Sequence, residues 1–187
     1  EVGVTEVPAY ALGSKQMLHS SAIYLAQWYS TYLDPWEIQW VEFDLQQVYS
    51  LGQMWVWNLN FPGTGYFSAE SGMKDVHVLY KTAVDDAWST LTASGGGDVF
   101  TLAKAAGADD QPATNLHDPD LPDTWGDPVP FGGLQARYVR IQQASVAPGE
   151  GNWGGGGYSY AGLAHVRFYQ SAPPPNALGT GAWAIYR

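Results

Sequence analysis

The sequence predicts an all-β fold, a jelly-roll β-sandwich of about eight antiparallel strands joined by long rim loops. Three observations lead there. Apolar residues show almost no helical spacing. Short alternating runs bounded by Gly, Pro, Asn and Asp recur along the chain instead. One of these runs is apolar on both faces, which suits a strand covered from both sides.

Taken in order, Trp40 to Leu45 (W-V-E-F-D-L) places Val41, Phe43 and Leu45 on one face and Glu42 and Asp44 on the other. Gln53 to Leu59 (Q-M-W-V-W-N-L) is the run apolar on both faces and is predicted to be central. Asp75 to Thr82 directs Val76, Val78 and Tyr80 one way. Ala87 to Leu91 and Val99 to Leu102 are short strands, and Arg137 to Ile141 and His165 to Tyr169 close the set. Four connections exceed simple turns: Gly13 to Gln39, Asn60 to Lys74, Ala103 to Gly133 and Ala144 to Gly162. Long loops in a compact domain carry function more often than short ones do.

The expected organisation is one sandwich domain over residues 1–170 and a tail over 171–187. The tail opens on Pro173-Pro174-Pro175, an extended linker composition. It ends in the strand-like hexamer Ala182 to Arg187, which must pack on its own domain or on a neighbour.

Composition narrows the function. The 187 residues are 45% hydrophobic, enough for a real core, and 14% aromatic, with nine Trp and twelve Tyr. Eighteen acidic residues against 8 basic ones give a net charge of −10. That balance lacks the basic footprint of a nucleic-acid binder and disfavours anionic membranes, leaving neutral ligands or cations as natural partners. No cysteine is present, which excludes disulfides, thiolate metal sites and cysteine nucleophiles. No apolar run is long enough to span a membrane. No leader precedes Glu1, which reads as a mature or trimmed chain or as a cytosolic one.

Four stretches carry a resemblance. They are Trp40-Val-Glu-Phe-Asp-Leu-Gln-Gln-Val-Tyr-Ser-Leu; Met54-Trp-Val-Trp-Asn58; Met73-Lys-Asp-Val-His-Val-Leu-Tyr-Lys-Thr, with Trp88 after it; and Ala136-Arg-Tyr-Val-Arg-Ile paired with Gly162-Leu-Ala-His-Val-Arg-Phe-Tyr169. In this order they resemble discoidin-like domains (coagulation-factor type C, galactose-binding-like), and in particular the carbohydrate-binding modules of family thirty-two in secreted bacterial proteins. The resemblance runs from about Gly13 to Tyr169. It implies an eight-stranded sandwich that binds sugars, or in animal relatives lipid or protein, through loops at one rim, with no catalytic machinery. It also implies a structural calcium near the closing strand. Here the chain departs from the pattern: the Asp-Gly calcium loop is not readable between His19 and Trp28, and His165 stands where the family has Glu. An imidazole is a poor ligand for a hard cation.

Sugar recognition needs an aromatic face for the pyranose and planar polar groups for its hydroxyls. Asn152 and Trp153 offer both beside a run of glycines, with Tyr158 close by. Asn60, Tyr66 and Phe67 follow the end of a core strand, and His19 lies in the first long loop. These seven are the predicted ligand-binding residues. The competing role for Trp153 is to plug the end of the sandwich. Asn58 is expected to cap its strand, Trp28 to join the core, and Trp125 to anchor its loop. The Asp-rich stretch offers Asp118, Asp120 and Asp123 as oxygen ligands for a structural Ca²⁺, although such runs are more often solvated loops.

The four histidines show no zinc spacing, and no G-x-S-x-G or P-loop is present. The reading is therefore a secreted or cell-surface, non-catalytic module, suited to adhesion or to serving as an accessory of a larger enzyme. It is expected to hold neutral, galactose-type glycans with affinities of roughly micromolar to millimolar. The second reading is an extracellular structural subunit, homo-oligomeric through its C-terminal tail.

Overall fold

The computed structural model describes residues 27–30, 37–63, 68–93, 95–109, 113–118, 126–147, 149–154, 160–171 and 184–185. Apart from a single turn of 3₁₀ helix at Ala69–Ser71, the regular structure in these residues is all β. The strands are β1 (Trp28–Tyr29), β2 (Trp40–Asn58), β3 (Asp75–Lys81), β4 (Ser89–Thr90), β5 (Phe100–Thr101), β6 (Val129–Gln143), β7 (Gly162–Gln170) and β8 (Ala184–Ile185). The sheet order is β1-β7-β2-β6-β3-β4, with β5 also on β3 and β8 also on β7. Every pairing between these strands is antiparallel.

The long β2 and β6 make one sheet into two leaves. The first half of β2 pairs with the end of β6, and its second half pairs with β7. Phe43 in the first half nevertheless meets Phe168 of β7, ring to ring at 5.3 Å. The two halves of β2 therefore face each other across the core. The bend falls where the β2–β6 register breaks, between Asp44 and Tyr49. Gln46 there adopts a left-handed φ of 73°. Asp44 stabilises this conformation by accepting the Gln46 N–H at 2.8 Å and both arms of Arg137 at 2.9 and 3.0 Å. That paired carboxylate holds the exposed Arg137 guanidinium above its ordinary pKa, chiefly through the side-chain hydrogen bonds. A second register shift lies between Leu51 and Gln53, opposite Gly132 and Gly133 of β6, whose φ values of 63° and 90° favour glycine.

The alternation predicted for the first part of β2 is present: Glu42 and Asp44 are exposed, Leu45 is buried, and Val41 and Phe43 pack against the core. The run apolar on both faces is central and covered on both. Met54 and Val56 enter the main core with Val76, Val78, Val139, Ile141 and Phe168. Trp55 and Trp57 point the other way and cluster with Ala113 and Ala164. Burying each such side chain stabilises the fold by about 1.5–3 kcal/mol.

Several boundaries differ from expectation. The two strands predicted at Trp40 and Gln53 are one continuous β2, because bulges let a strand bend without breaking its ladder. β6 begins at Val129, inside what reads as a loop, because glycine-rich sequence hides a bulged strand. β4 and β5 shrink to two residues each. The tail hexamer supplies β8, and Ala184 and Ile185 pair with Tyr169 and Phe168 of their own chain.

On the outer face of the leaf that holds the first half of β2, the end of β6 and β3, Arg140 lies 4.2 Å from the Trp40 ring and 4.5 Å from Trp88, and its guanidinium also bonds Glu42 at 2.8 Å. Lys81 lies over Trp88 and Tyr138 at 4.7 and 5.3 Å. This clamp fastens the β3–β4 hairpin to β6 and explains the tryptophan at position 88.

Candidate functional site

Antiparallel registers bring the end of β2, the start of β3, the end of β5, the end of β6 and the start of β7 to one end of the sandwich. There the loops are tied by buried side-chain amides. Asn58, 0% exposed, donates to the Met73 and Ala103 carbonyls at 2.6 and 2.8 Å. The Asn115 amide oxygen accepts the Val56 N–H at 2.9 Å, and its nitrogen donates to the Gly126 carbonyl at 3.2 Å. The Gln143 amide accepts the Gln39 N–H at 3.0 Å and donates to the Gly151 carbonyl at 3.1 Å. Short polar side chains do what a strand ladder cannot once the chain leaves the sheet, which is to satisfy buried backbone groups.

The loop from Gly149 to Gly154 runs beside the start of β3. Lys74 and Asp75 donate their backbone N–H groups to Gly151 and Glu150 at 3.1 Å each. Asn152 organises this loop from within. It is 1% exposed, its oxygen accepts the Gly154 N–H at 3.1 Å, and its nitrogen donates to the Tyr160 carbonyl at 3.1 Å. Asn60 does the same for the neighbouring loop. It is 0% exposed, accepts from Gly107 at 2.9 Å and donates to Ala108 at 2.7 Å. Both asparagines stood among the predicted ligand-binding residues; the structure gives their amides to backbone, so they shape the rim from beneath it. Asn58 caps its strand as expected, and Trp28 packs partly buried against the main core.

Trp153 stands on the rim, partly exposed. Its indole N–H donates to the Leu102 carbonyl at 3.2 Å. The edge-on ring of His117 lies 5.3 Å away, and the Lys74 ammonium sits over the indole at 5.2 Å. Lys74 is itself fixed by donating to the Gly149 carbonyl at 2.6 Å. The backbone N–H of His117 is anchored on the Thr101 carbonyl at 2.8 Å, and the Thr101 hydroxyl donates to Asp75 at 2.6 Å. Three segments distant in sequence thus build one surface: residues 149–154, the start of β3, and residues 101–102 with 116–117. Its chemistry is an indole for stacking, an imidazole that can donate or accept, and an ammonium with two N–H donors left over.

Lys74 and His117 escape sequence reasoning. His117 lies in an Asp- and Pro-rich stretch with no periodicity, and Lys74 reads as the last residue of the long connection from Asn60. Among the predicted ligand residues, Trp153 joins this surface. His19, Tyr66, Phe67 and Tyr158 lie outside the described residues, as do Trp125, Asp120 and Asp123. Asp118 is partly buried next to His117. Among the described residues no group of three His, Asp or Glu is placed to hold a metal ion. At the closing strand, His165 accepts the Arg167 Nε–H at 3.2 Å and lies edge-on to Trp57 at 5.3 Å. A position that already faces a guanidinium does not fit a calcium ion.

No protein-family model matches the chain, and no curated protein matches it. Among solved structures the chain is similar to a carbohydrate-binding module, CBM32-3, from a family 31 glycoside hydrolase of Clostridium perfringens. That likeness has 16% identity and a TM-score of 0.49, and covers 78% of this chain and 75% of that one. It is also similar to an F5/8 type C domain from Bacteroides fragilis, with 17% identity, a TM-score of 0.43, and coverage of 77% and 72%. The fold stands on the strand registers above.

Proposed function

We propose that this chain is a non-catalytic carbohydrate-binding module that acts outside the cell, holding a glycan at the rim surface of Trp153, His117 and Lys74. The observation that carries this reading is Trp153 itself, a partly exposed indole fixed by its N–H to Leu102 and flanked by two polar side chains. An indole fixed in this way gives a sugar ring a rigid apolar partner at little entropic cost, and the adjacent nitrogens supply directional bonds to hydroxyls. The small, wet contact sets affinity at roughly micromolar to millimolar. A module of that strength works by raising the local concentration of whatever it is linked to, as an accessory domain of an enzyme or adhesin does.

Screening on a glycan array followed by calorimetry tests the reading. Trp153→Ala is expected to weaken sugar binding at least about tenfold, and His117→Ala by a similar factor. Trp153→Phe, which keeps an aromatic face, retains part of the affinity. Circular dichroism of each variant separates loss of the site from loss of the fold. Full affinity in both folded alanine variants would remove this rim as the site, and absence of binding to any glycan would remove the function.

A further inference from the structure

Lys74 has a feature that sugar stacking alone does not use. It is partly buried, and among the described residues no carboxylate lies within ion-pair distance of its ammonium. The neighbouring acids are committed elsewhere. Asp75 accepts the Thr101 hydroxyl at 2.6 Å, and Glu150 accepts the Ser145 hydroxyl at 2.7 Å. Lys104, the next lysine along this end, pairs with Glu70 at 3.8 Å. Lys81 also lacks a carboxylate pair among the described residues, but its ammonium belongs to the Trp88–Tyr138 clamp on the outer face and not to the rim. Among the described residues the one acceptor of the Lys74 ammonium is the Gly149 carbonyl, and the ammonium rests on the Trp153 ring. An ammonium has three donors, so two remain for a ligand.

From this placement we infer that the rim selects an acidic sugar, a uronic-acid residue whose carboxylate is taken by the Lys74 ammonium beside Trp153. The inference rests on the reading of the rim as a glycan site and narrows its ligand class. It departs from the neutral ligand that the overall charge suggests. Net charge acts over the whole surface and is screened beyond about 8 Å at physiological salt, whereas a contact pair in a partly buried site is screened far less. A charge-assisted bond from an ammonium to a carboxylate is roughly twice as strong as one to a hydroxyl.

The test compares oligosaccharides of galacturonic or glucuronic acid with the same oligosaccharides after reduction of each carboxyl to an alcohol, titrated calorimetrically into the whole chain. The acid forms are expected to bind about tenfold tighter at low salt, with the preference shrinking as salt rises. Lys74→Gln should abolish the preference, bringing the acid forms down to the affinity of the reduced forms for the same variant, and Lys74→Arg should keep it. Melting curves for both variants confirm that the rim is folded. Equal binding of acid and reduced forms, or a preference that survives in Lys74→Gln, would overturn the inference and leave the glycan-site reading intact. Binding of neither form, nor of any other glycan, would overturn that reading and this inference with it.

Discussion

Single side chains decide whether this end of the sandwich holds together. Asn58 makes two bonds from one amide to carbonyls in different segments, the one to Met73 buried and the one to Ala103 partly buried. Asn58→Ala leaves those carbonyls without partners and is expected to cost about 3 kcal/mol, measurable by urea unfolding. Asp86 works at the exposed β3–β4 turn. It accepts the Thr82 hydroxyl at 2.6 Å and the Ala83 N–H at 2.8 Å, and the Thr82 bond is the main reason its pKa falls below the ordinary 3.8. A carboxylate with a lowered folded-state pKa stabilises the fold above its unfolded value, and that contribution fades as pH falls through the folded value. The difference in melting temperature between the native chain and Asp86→Asn should therefore be constant at neutral and mildly acidic pH. It should shrink once pH drops below about 3.8.

At the scale of elements, the rim loop depends on close backbone approach. A Cβ on Gly151 would lie 1.9 Å from the Ser145 carbonyl oxygen, which is backbone and cannot step aside. Gly151→Ala is expected to displace the 149–154 loop, destabilise the chain by about 1–3 kcal/mol, and weaken sugar binding through Trp153. Unfolding curves and calorimetry on the same preparation check both effects. The alternating and doubly apolar runs of β2 were legible because period-two patterning reports directly on which faces are covered. The continuity of β2 and the early start of β6 were not. Both depend on bulges, and a bulge is a relation between two strands that neither displays alone.

For the molecule as a whole, β2 and β6 are shared by both leaves, so neither leaf is a separate unit. Met54 lies in the main core at 0% exposure, on the part of β2 paired with both β6 and β7. Met54→Ala is expected to cost about 2–5 kcal/mol and to lower one cooperative transition. Far-ultraviolet and near-ultraviolet circular dichroism should then melt together, since no leaf can persist without the other.

By itself the sequence determined the class of the fold, the central strand, the inward faces of the strands, and Trp153 as the aromatic of a rim loop. Those properties are written in local spacing, and burial of apolar faces enforces them. Only the tertiary structure decided which polar residues reach the surface. Asn60 and Asn152 look like ligand groups in the chain, yet unsatisfied backbone beside them claims their amides. Lys74 and His117 look incidental, yet strand registers carry them from distant segments to the two sides of one indole. Hydrogen-bond demand and cross-strand placement are set by the partners a residue meets, and a linear sequence does not show who those partners are.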